Sequence, residues 1–367
     1  MTRIARFLSA ATAVAGLSLA LALSASGGED AGVAKAFQEE CAKKVAAAPT
    51  MTVPGRDGWL FLKGELRHLA AGEFWGPAAE KTSVATQADA KDPLAAVVHY
   101  KEQLDKLGIE LILLPVPPKS AVYPDMLSDA VGVKEGAPFP RVDADHRELF
   151  RLLAGKGVKV VDLVPEFAAH RADEKGPVYC KTDTHWSGLA CILAARAVAA
   201  EFKDRPWMKD VPKARFESEE KTVAIRGDLV DALKGQPGAK ADPEPEKVLL
   251  RFVGTRGATA LEPVKTDPAS PVLLISDSHG LVFHIGEDLF ARGAGLPDQL
   301  AFELGFPVDV ISSRGDGVTK VRIDLYQRAK SDPKWLAGKK AIVWCFSSRD
   351  FTQCSNGWRK LPVKKGG

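Results

Sequence analysis

The chain has 367 residues, of which 46% are hydrophobic and 26% are charged, and its formal net charge is +3 at pH 7. A chain of this length and composition can bury a large core and form either one large domain or two. The small net charge and the lack of a long basic run give no reason to expect a nucleic-acid partner.

The first 27 residues have the pattern of a secretory signal. Arg3 and Arg6 give a positive start, an apolar stretch runs from Phe7 to Leu23, and small residues follow at 22–27. Because the apolar stretch is about 17 residues long, near the lower limit for spanning a bilayer, an uncleaved N-terminal anchor is the alternative. Both interpretations predict that the folded part is exported. No later segment is apolar enough to span a membrane.

The cysteines bear on the expected environment, because export permits disulfides. They are Cys41, Cys180, Cys191, Cys345 and Cys354. An odd number leaves at least one thiol unpaired within the chain. Cys345 with Cys354 and Cys41 with Cys180 are candidate pairs, and Cys191 lies in an apolar helix as a buried thiol. No pair has CxxC spacing, which argues against a redox centre or a zinc ribbon.

The predicted elements begin with a polar, Ala-rich lead-in segment at residues 28–52, which favours a short helix. A turn at residues 57–58 then opens a strand that ends at Leu62. Apolar side chains recur at helical spacing over residues 92–107, and the following glycine suits the end of that helix. The next run, residues 109–116, is apolar and rich in β-formers, as expected of a buried parallel strand.

Helices and strands continue to alternate through the rest of the chain. The further predicted helices span residues 142–154, 187–202 and 318–330, and the further strands span residues 158–164, 272–276, 308–312 and 341–346. Such alternation predicts a parallel sheet with helices on both faces. Residues 205–270 interrupt it with many charges and a polar Pro/Gly stretch. We interpret them as an irregular insertion, of the kind that shapes a substrate cleft.

A serine follows one predicted strand almost directly. After the strand at 272–276 comes Asp277-Ser278-His279-Gly280, and a helix is predicted from Leu281. In open α/β sheets ligands bind at the carboxyl ends of strands. Backbone N–H groups of the turn at Gly280 are suited to hold a developing oxyanion. The alternative is that the serine only helps to form the turn.

An Asp-x-His sequence supplies the groups that would activate such a serine. A serine hydroxyl is a weak nucleophile until a base removes its proton, and histidine is the usual base near neutral pH. His185 would be this base, and Asp183, on the same side of an extended chain, would orient its imidazole. The alternative is a turn that caps the following helix at Ser187, with His185 packed under Trp186.

Asp-Thr-His-Trp-Ser at residues 183–187, followed by a strand that ends in Asp-Ser, resembles the alginate O-acetyltransferase family of AlgJ/AlgX-like SGNH proteins. Further matching motifs lie at residues 58–62, 115–119, 123–124, 227–229 and 349–350. The resemblance therefore spans residues 55–350, nearly the whole exported chain.

The resemblance implies a three-layer α/β/α SGNH-hydrolase-like domain over residues 53–360, with a mainly parallel central sheet and the insertion at about 205–270. The chain ends about twenty residues after the last predicted strand, so we expect no appended carbohydrate-binding module. The family's chemistry is acyl transfer by a Ser-His-Asp triad. By motif, Ser278 is the nucleophile, His185 the base and Asp183 its orienting group. This order along the chain is the reverse of that usual in SGNH hydrolases.

Several residues near these motifs are candidates for further roles. Ser276 stands where the family commonly has glycine, so a second hydroxyl lies two residues before Ser278 on the same face of the strand. His279 is expected to point away from Ser278, where it could contact substrate. Arg314 resembles an arginine of the family's cleft, suited to an oxyanion or a uronate carboxylate, with an ordinary surface arginine as the alternative.

Lys181, Trp186 and Arg349 are further candidates for contacts to substrate or to an oxyanion. The basic side chains that could line a groove for a polyuronate are Lys181, Arg226, Arg251, Arg256 and Arg314. Scattered surface charges are the alternative interpretation of this set.

The resemblance predicts an O-acetyltransferase that moves an acetyl group through Ser278 onto hydroxyls of an exported polysaccharide, alginate or a similar polymer. It implies a periplasmic location, an acetyl donor supplied by an integral-membrane acyltransferase in a membrane-associated complex, and no cofactor. The alternatives are an SGNH-type esterase, in which water attacks the acyl-enzyme, and a catalytically silent polysaccharide-binding scaffold. A metal site at Asp183, His185 and either Cys180 or His170 is a further alternative, although the chain has no HExxH or paired CxxC.

Overall fold

The computed structural model describes residues 32–134, 136–233 and 244–364. The predicted signal segment, residues 1–27, lies outside these residues, as does most of the Pro/Gly stretch of the insertion. None of the helices within the described residues is long and apolar enough to cross a membrane. The lead-in segment contains a helix at residues 32–47, as its composition predicts.

The described residues contain ten strands in three sheets. The strands are β1 (Thr52–Pro54), β2 (Leu60–Leu62), β3 (Glu110–Val116), β4 (Lys159–Val160), β5 (Glu217–Ile225), β6 (Glu246–Arg256), β7 (Leu261–Pro263), β8 (Val272–Ser276), β9 (Asp309–Ser312) and β10 (Ala341–Ser347). The central sheet has the order β4-β3-β10-β8-β9, and all its neighbouring strands are parallel. The other two sheets are antiparallel: one has the order β5-β6-β7, and the other is the short ribbon β1-β2.

Helices connect and cover these strands. They are α1 (32–47), α2 (Lys63–Leu69), α3 (Ala79–Thr82), α4 (Pro93–Asp105), α5 (Lys119–Val122), α6 (Pro124–Leu127), α7 (Ala144–Gly155), α8 (Val164–Ala169), α9 (Gly188–Phe202), α10 (Asp228–Asp231), α11 (Leu296–Leu304), α12 (Thr319–Ser331), α13 (Pro333–Ala337) and α14 (Asp350–Gln353). Short 3₁₀ turns lie between several of them, including one at Ser278–Gly280.

Alternate residues of the central strands point to opposite faces of the sheet, and each face has its own hydrophobic cluster. Val343 and Cys345 of β10 pack with α9 and α11, whereas Ile342, Trp344 and Phe346 pack with α4, α7 and α12. Because both faces are covered, every residue of β8 and β10 is buried. The predicted α/β fold with a parallel sheet and helices on both faces is confirmed.

The register brings the carboxyl ends of neighbouring strands to one edge of the sheet. Val272 of β8 and Glu110 of β3 both pair with Ala341 of β10, so these three strands start at the same level. Strand β8 ends at Ser276, and Ser278 follows at this edge. Ligands of open α/β sheets bind at such an edge.

The predicted elements of the alternating pattern agree with the structure to within two residues, with one exception. The strand predicted at residues 158–164 is limited to Lys159–Val160. Asp162 ends it, because its carboxylate accepts a hydrogen bond from the N–H of Val164 (3.0 Å) and so begins α8. A side chain that bonds to the backbone two residues later in this way favours a turn over a strand.

The helix predicted from Leu281 is wrong. Ser278–Gly280 form a single 3₁₀ turn, and α11 begins fifteen residues after Leu281. Between them Phe283 and Phe290 have positive φ angles of 60° and 74°. A right-handed helix does not contain residues with this left-handed backbone conformation, so the chain forms successive turns here instead of a helix.

The insertion is a regular antiparallel sheet and not the irregular segment that its composition predicts. Strand β5 pairs with β6 over its whole length, from Glu217 opposite Gly254 to Ile225 opposite Glu246. Only Ile225 of β5 is fully buried, so its sequence lacks the clear apolar alternation of a half-buried strand. The sheet packs closely on α9, where a Cβ added to Gly188 would lie 2.7 Å from a carbonyl oxygen of β6.

All five cysteines lie in the described residues, and each is buried with a free thiol. Neither candidate disulfide is formed. Cys345 packs on one face of the central sheet and Cys354 on the other, so the sheet itself keeps these two thiols apart. The cysteines therefore serve as small buried side chains, and burial raises the pKa of the Cys354 thiol to about 12.

Candidate active site

Three side chains line up at the carboxyl edge of the central sheet. Ser278 lies in the turn after β8, and its Oγ is 2.8 Å from Nε2 of His185. The other ring nitrogen, Nδ1, is 2.6 Å from Oδ1 of Asp183. Asp183 is 1% exposed and His185 is 7% exposed, whereas Ser278 is half-buried at the open end of the line. The structure thus brings the three predicted residues together in the order serine, histidine, carboxylate, the arrangement of a nucleophile with its base and orienting group.

A short turn presents Asp183 and His185. The carboxylate oxygen Oδ1 of Asp183 accepts the backbone N–H of His185 (2.9 Å) as well as its ring N–H. A β-bridge between Tyr179 and Trp186 closes the loop around them. Ser187 occupies the N-cap position of α9, but its side chain makes no capping hydrogen bond. The local hydrogen bonds of this segment therefore orient the imidazole and do not cap the helix.

The charges of this pair are set by burial and by their contact. Burial opposes the negative charge of Asp183, but the hydrogen bonds and the attraction of His185 outweigh it and lower the pKa of Asp183 to about 2. Burial likewise opposes the positive charge of His185, and the hydrogen bond and attraction of Asp183 outweigh it, so that the pKa of His185 is raised. The site therefore stabilises the imidazolium form of His185 beside the ionised carboxylate of Asp183.

A loop of the insertion clamps the Asp-x-His turn from the other side. The second carboxylate oxygen of Asp183 accepts the N–H of Asp228 (2.9 Å). Asp228 in turn accepts the N–H (2.8 Å) and the hydroxyl (2.7 Å) of Thr184. A Cβ added to Gly227 would lie 2.0 Å from the carbonyl oxygen of Thr182, so only glycine permits this approach. These contacts give a physical role to the Gly-Asp-Leu motif at residues 227–229.

Among the described residues, Asp183, His185 and Asp228 are also the group whose ligand atoms lie close enough, within 4.8 Å of one another, to hold a metal ion. Their carboxylate oxygens already accept N–H and O–H donors of the protein. The other ligands considered from the sequence lie elsewhere: Cys180 contacts the carbonyl of Trp186 through Sγ, and His170 pairs with a neighbouring aspartate. The donor set fits a hydrogen-bonded triad better than a metal centre.

Lys119 is a buried cation beneath the site. It is 1% exposed, and its ammonium group donates to the carbonyl oxygens of Leu60 (2.8 Å), Lys181 (3.3 Å) and Asp183. Burial lowers the pKa of Lys119, against the attraction of nearby carboxylates. The ammonium group ties the strand β2 to the Asp-x-His turn. The sequence indicates the Pro-Val-Pro-Pro-Lys motif only by its resemblance to the family, and a lysine three residues after a buried strand is the signal that could reveal this role.

A second Asp-x-His turn lies against the first. Asp277 accepts the backbone N–H of His279 (2.8 Å) and its ring Nδ1 (3.0 Å), as Asp183 does for His185. The two imidazole rings meet edge to face with their centroids 5.0 Å apart. Burial lowers the pKa of His279, and the charged His185 lowers it further, against the attraction of Asp277. The neutral form of His279 is therefore favoured, next to His185, whose protonated form is stabilised.

His279 and Trp186 are interior residues in this structure. His279 is 1% exposed and Trp186 is 0% exposed, and the indole N–H donates to the carbonyl oxygen of His279 (3.1 Å). Neither side chain is accessible to a ligand in this conformation. The predicted substrate contacts of these two residues do not fit this placement, because the ring of His279 packs against His185 and the ring of Trp186 packs against His279.

The two serines at the end of β8 have different surroundings. Ser276 is fully buried, and its hydroxyl bonds to that of Ser312 (2.7 Å). A Cβ added to Gly280 would lie 2.0 Å from Oγ of Ser276, so glycine is required at this turn. Ser278 alone of the pair contacts His185. The N–H of Gly280 donates to the carbonyl oxygen of Asp277 (3.1 Å), which leaves it no free proton for an oxyanion.

The basic side chains predicted to line a groove are mostly neutralised by carboxylates. Arg314 is exposed and pairs with Asp288 (2.9 Å). Three further arginines have carboxylate partners, namely Arg226 with Asp231, Arg251 with Glu303 and Arg256 with Glu217. These pairs favour the alternative of ordinary surface charges for the four arginines.

Lys181 and Arg349 lie nearer to the candidate triad. The Lys181 ammonium group lies 5.8 Å from the ring centre of Trp59. Arg349 donates to the hydroxyl of Ser347 (3.0 Å) and lies 3.8 Å from the carboxylate of Glu65. Arg349 thus belongs to the buried charge network around Lys119.

Comparison with known proteins gives a consistent result. Residues 52–347 match the family described as ALGX, SGNH hydrolase-like domain, acetyltransferase AlgX. Over 329 residues the chain is 27% identical to the probable alginate O-acetylase AlgJ of Pseudomonas aeruginosa, covering 86% of this chain and 75% of that protein. It is 26% identical over 298 residues to the probable alginate O-acetylase AlgJ of Pseudomonas syringae pv. tomato, covering 81% and 68%.

Solved structures share the fold. The O-acetyltransferase domain of Pseudomonas putida AlgJ matches with a TM-score of 0.58 at 22% identity, covering 83% of this chain and 92% of that one. Pseudomonas aeruginosa AlgX matches with a TM-score of 0.56 at 19% identity, covering 81% of this chain and 62% of that one. At these identities the likeness concerns the fold, and it confirms the predicted SGNH-hydrolase-like architecture.

Proposed function

Because the chain belongs to the SGNH hydrolase-like family of the acetyltransferase AlgX, we propose that it is an O-acetyltransferase that carries an acetyl group on Ser278. The acceptor is a hydroxyl of an exported polysaccharide, alginate or a similar polymer, in keeping with the names of its relatives. The observation that carries the proposal is the continuous line from Ser278 Oγ through His185 to Asp183.

In the first half of the reaction, His185 takes the proton of Ser278 through Nε2 while Oγ attacks the acetyl carbonyl. The protonated His185 then gives this proton to the leaving group of the donor, and acetyl-Ser278 remains. In the second half His185 takes the proton of an acceptor hydroxyl, whose oxygen attacks the acetyl group and releases Ser278 with its proton restored. Asp183 holds Nδ1–H in place throughout and stabilises the imidazolium.

An oxyanion forms in each half of this reaction and needs hydrogen-bond donors. The backbone N–H of Ser278 has no acceptor among the described residues, whereas those of His279 and Gly280 are already engaged. We assign the N–H of Ser278 as one donor to the oxyanion. This replaces Gly280, which the sequence favoured for the role.

The setting of this reaction follows from the sequence and the family. We propose that residues 1–27 direct export, that residues 53–360 act in the periplasm as one domain, and that an integral-membrane acyltransferase supplies the acetyl donor. The protein would then work in a membrane-associated complex with a polysaccharide acceptor.

The test uses purified protein with an activated acetyl ester such as p-nitrophenyl acetate, with and without an oligouronate, and mass spectrometry of the sugar. We expect acetylated oligouronate from the wild type. Ser278→Ala should lose at least about 10³-fold in turnover, with a small residue from binding and oxyanion contacts. Ser276→Ala is the matched control, since it removes the neighbouring hydroxyl that does not contact His185.

Each other outcome supports an alternative. Acetate as the sole product, with the sugar unmodified, would indicate an esterase. Unchanged turnover in Ser278→Ala would remove Ser278 from the chemistry and favour a binding scaffold.

A further inference from the structure

Arg349 is linked by hydrogen bonds to the turn that carries Ser278. It follows β10, and β10 is the direct neighbour of β8 in the central sheet. The N–H of Ser347 donates to Oδ2 of Asp277 (2.7 Å), the residue before Ser278, and Arg349 donates through Nη1 to the hydroxyl of Ser347 (3.0 Å). Ser347 therefore connects the guanidinium group to the nucleophile turn.

The guanidinium group of Arg349 has donors that are not used. A guanidinium carries more N–H donors than any other side chain, yet among the described residues Arg349 bonds through it only to the hydroxyl of Ser347. The carboxylate oxygens of Glu65 and Asp350 lie 3.8 Å and 3.9 Å away, beyond hydrogen-bond distance. Because the Arg349 side chain is 18% exposed, an oxygen of a ligand can reach the donors that these residues leave free.

The guanidinium group stays charged next to the candidate triad. Burial opposes its charge, but the attraction of nearby carboxylates outweighs this effect and raises the pKa of Arg349. Among these carboxylates are Asp277, which precedes Ser278, and Asp228, whose N–H binds the carboxylate of Asp183. The charge of Arg349 therefore acts at both ends of the line from Ser278 to Asp183.

The surrounding carboxylates have hydrogen-bond partners of their own. Both oxygens of Asp277 accept N–H donors of the protein, and Asp228 accepts the N–H and the hydroxyl of Thr184. Oε2 of Glu65 accepts the N–H of Lys119 (3.2 Å). These groups attract the guanidinium without bonding to it, so its free donors remain available to a ligand oxygen that gains negative charge.

The proposed reaction produces such an oxygen. When Oγ of Ser278 bonds to the acetyl carbon, the electron pair of the C=O π bond moves onto the carbonyl oxygen, and it returns when the bond to the leaving group breaks. The N–H of Ser278 is one donor to this oxyanion, and charged donors form stronger hydrogen bonds than neutral ones. Arg314, which follows the other neighbour of β8, is exposed and paired with Asp288. Of these two arginines, Arg349 is the one with free donors among the described residues.

From these contacts we infer that Arg349 is a catalytic residue, which donates a guanidinium N–H to the oxyanion formed at Ser278, as the second donor beside the backbone N–H. This inference rests on the proposed acetyl transfer through Ser278 and deepens it. Nη1 keeps its bond to Ser347, and another N–H of the guanidinium group meets the oxyanion.

Steady-state hydrolysis of p-nitrophenyl acetate by the full chain tests the inference. Arg349→Ala should lower kcat about 10²- to 10³-fold with little change in KM, because the oxyanion forms in the transition state and is absent from the bound substrate. Guanidinium chloride at a non-denaturing concentration should restore part of kcat in Arg349→Ala, whereas sodium chloride at the same concentration should not. A merely structural role of Arg349 gives no such rescue.

Arg205→Ala is the matched control. Arg205 donates to the carboxylate of Glu110 through both Nε (2.8 Å) and Nη2, at the start of β3 and so at the opposite edge of the sheet from Ser278. This variant should keep wild-type kcat with and without guanidinium. Arg349→Lys retains the charge and a donor, so its kcat should lie between those of the wild type and Arg349→Ala at the same KM.

Three results in Arg349→Ala would overturn the inference: wild-type kcat, a loss confined to KM, or a loss of kcat that guanidinium leaves unchanged. If this variant does not fold, Arg349→Lys decides, and wild-type kcat there would overturn the inference.

Ser278→Ala in the same assay judges the proposed function separately. If Ser278→Ala loses turnover while Arg349→Ala keeps it, Arg349 is not the oxyanion donor and the acetyl-serine stands. If Ser278→Ala keeps turnover, the acetyl-serine itself is wrong, and the role of Arg349 fails with it.

Discussion

At the scale of single residues, the contact between Asp183 and His185 determines how activity depends on pH. His185 must be neutral to take the proton of Ser278, and its pKa is raised above its usual value of 6.5. As the pH falls through this raised pKa the base becomes protonated and activity is lost, so the acid limb of kcat/KM for an acetyl ester should lie above pH 6.5. A pH–rate profile measures it.

Asp183→Asn separates this effect from a general loss of structure. The variant removes the charge that raises the pKa of His185, so the acid limb should move to lower pH while kcat falls about 10⁴-fold. An acid limb at the same pH in both proteins would contradict the assignment of His185 as the base.

The residues of this site differ in how well a sequence can predict them. Ser278, His185 and Asp183 are predictable because each lies in a short motif with the chemistry on its own side chain. Lys119 and Asp228 are not, because their function lies in contacts to segments about 45 to 65 residues away in the chain. Only the fold brings those partners together.

At the scale of elements, the loop of the insertion before α10 holds the Asp-x-His turn in place. We expect Gly227→Ala to push this loop away, because the added Cβ would lie 2.0 Å from the Thr182 carbonyl oxygen and 2.4 Å from the Asp183 nitrogen. The hydrogen bond from Asp228 to Asp183 would then break. Stability should fall by about 1–3 kcal/mol, as for other overpacked sites, and kcat should fall more than KM rises. Urea unfolding and steady-state kinetics measure these changes.

Gly155→Ala is the control for this substitution. Its added Cβ meets nothing within 4 Å, and it lies at the end of α7, away from the insertion loop. It should keep wild-type kinetics. Wild-type kinetics in Gly227→Ala as well would show that the insertion loop does not position the turn.

The elements themselves differ in predictability for a physical reason. Strands buried on both faces, such as β8 and β10, are continuous apolar runs that no surface helix would have. Strand β5 is mostly polar or charged, and it pairs with β6 through backbone hydrogen bonds, which leave little trace in the pattern of side chains. The missing helix after Gly280 has a similar cause, since turns with left-handed Phe283 and Phe290 replace it.

At the scale of the whole molecule, the two faces of the sheet carry different buried polar groups. The face covered by α9 supports the candidate triad. On the other side, α2 and α7 bring together His68 and His146, whose Nε2 atoms are 2.8 Å apart. Burial lowers the pKa of His146 to about 4, against the attraction of Asp143 and Asp162. Burial and the neighbouring positive charges lower the pKa of His68 well below its usual value. Neither histidine can take up a proton without a loss of folding free energy.

This pair should contribute a loss of stability in mild acid, whereas Asp350, whose pKa burial raises to about 7, acts in the opposite sense over the same range. Between pH 6.5 and about 4 the unfolded chain binds a proton at His146 that the folded chain does not. The contribution of each such histidine to the free energy of unfolding should therefore fall in this range by about 1.4 kcal/mol per pH unit. Asp183, with its pKa lowered to about 2, adds its own loss of stability only at lower pH. The raised pKa of His185 acts above pH 6.5 and in the opposite sense.

Urea unfolding from about pH 7 to about pH 4.5 measures the slope of the free energy of unfolding against pH. In His146→Gln, which keeps a partner for His68 but cannot be protonated, the slope should be smaller by one histidine's share, whatever the variant does to stability at neutral pH. An unchanged slope would mean that His146 is not held neutral by the fold.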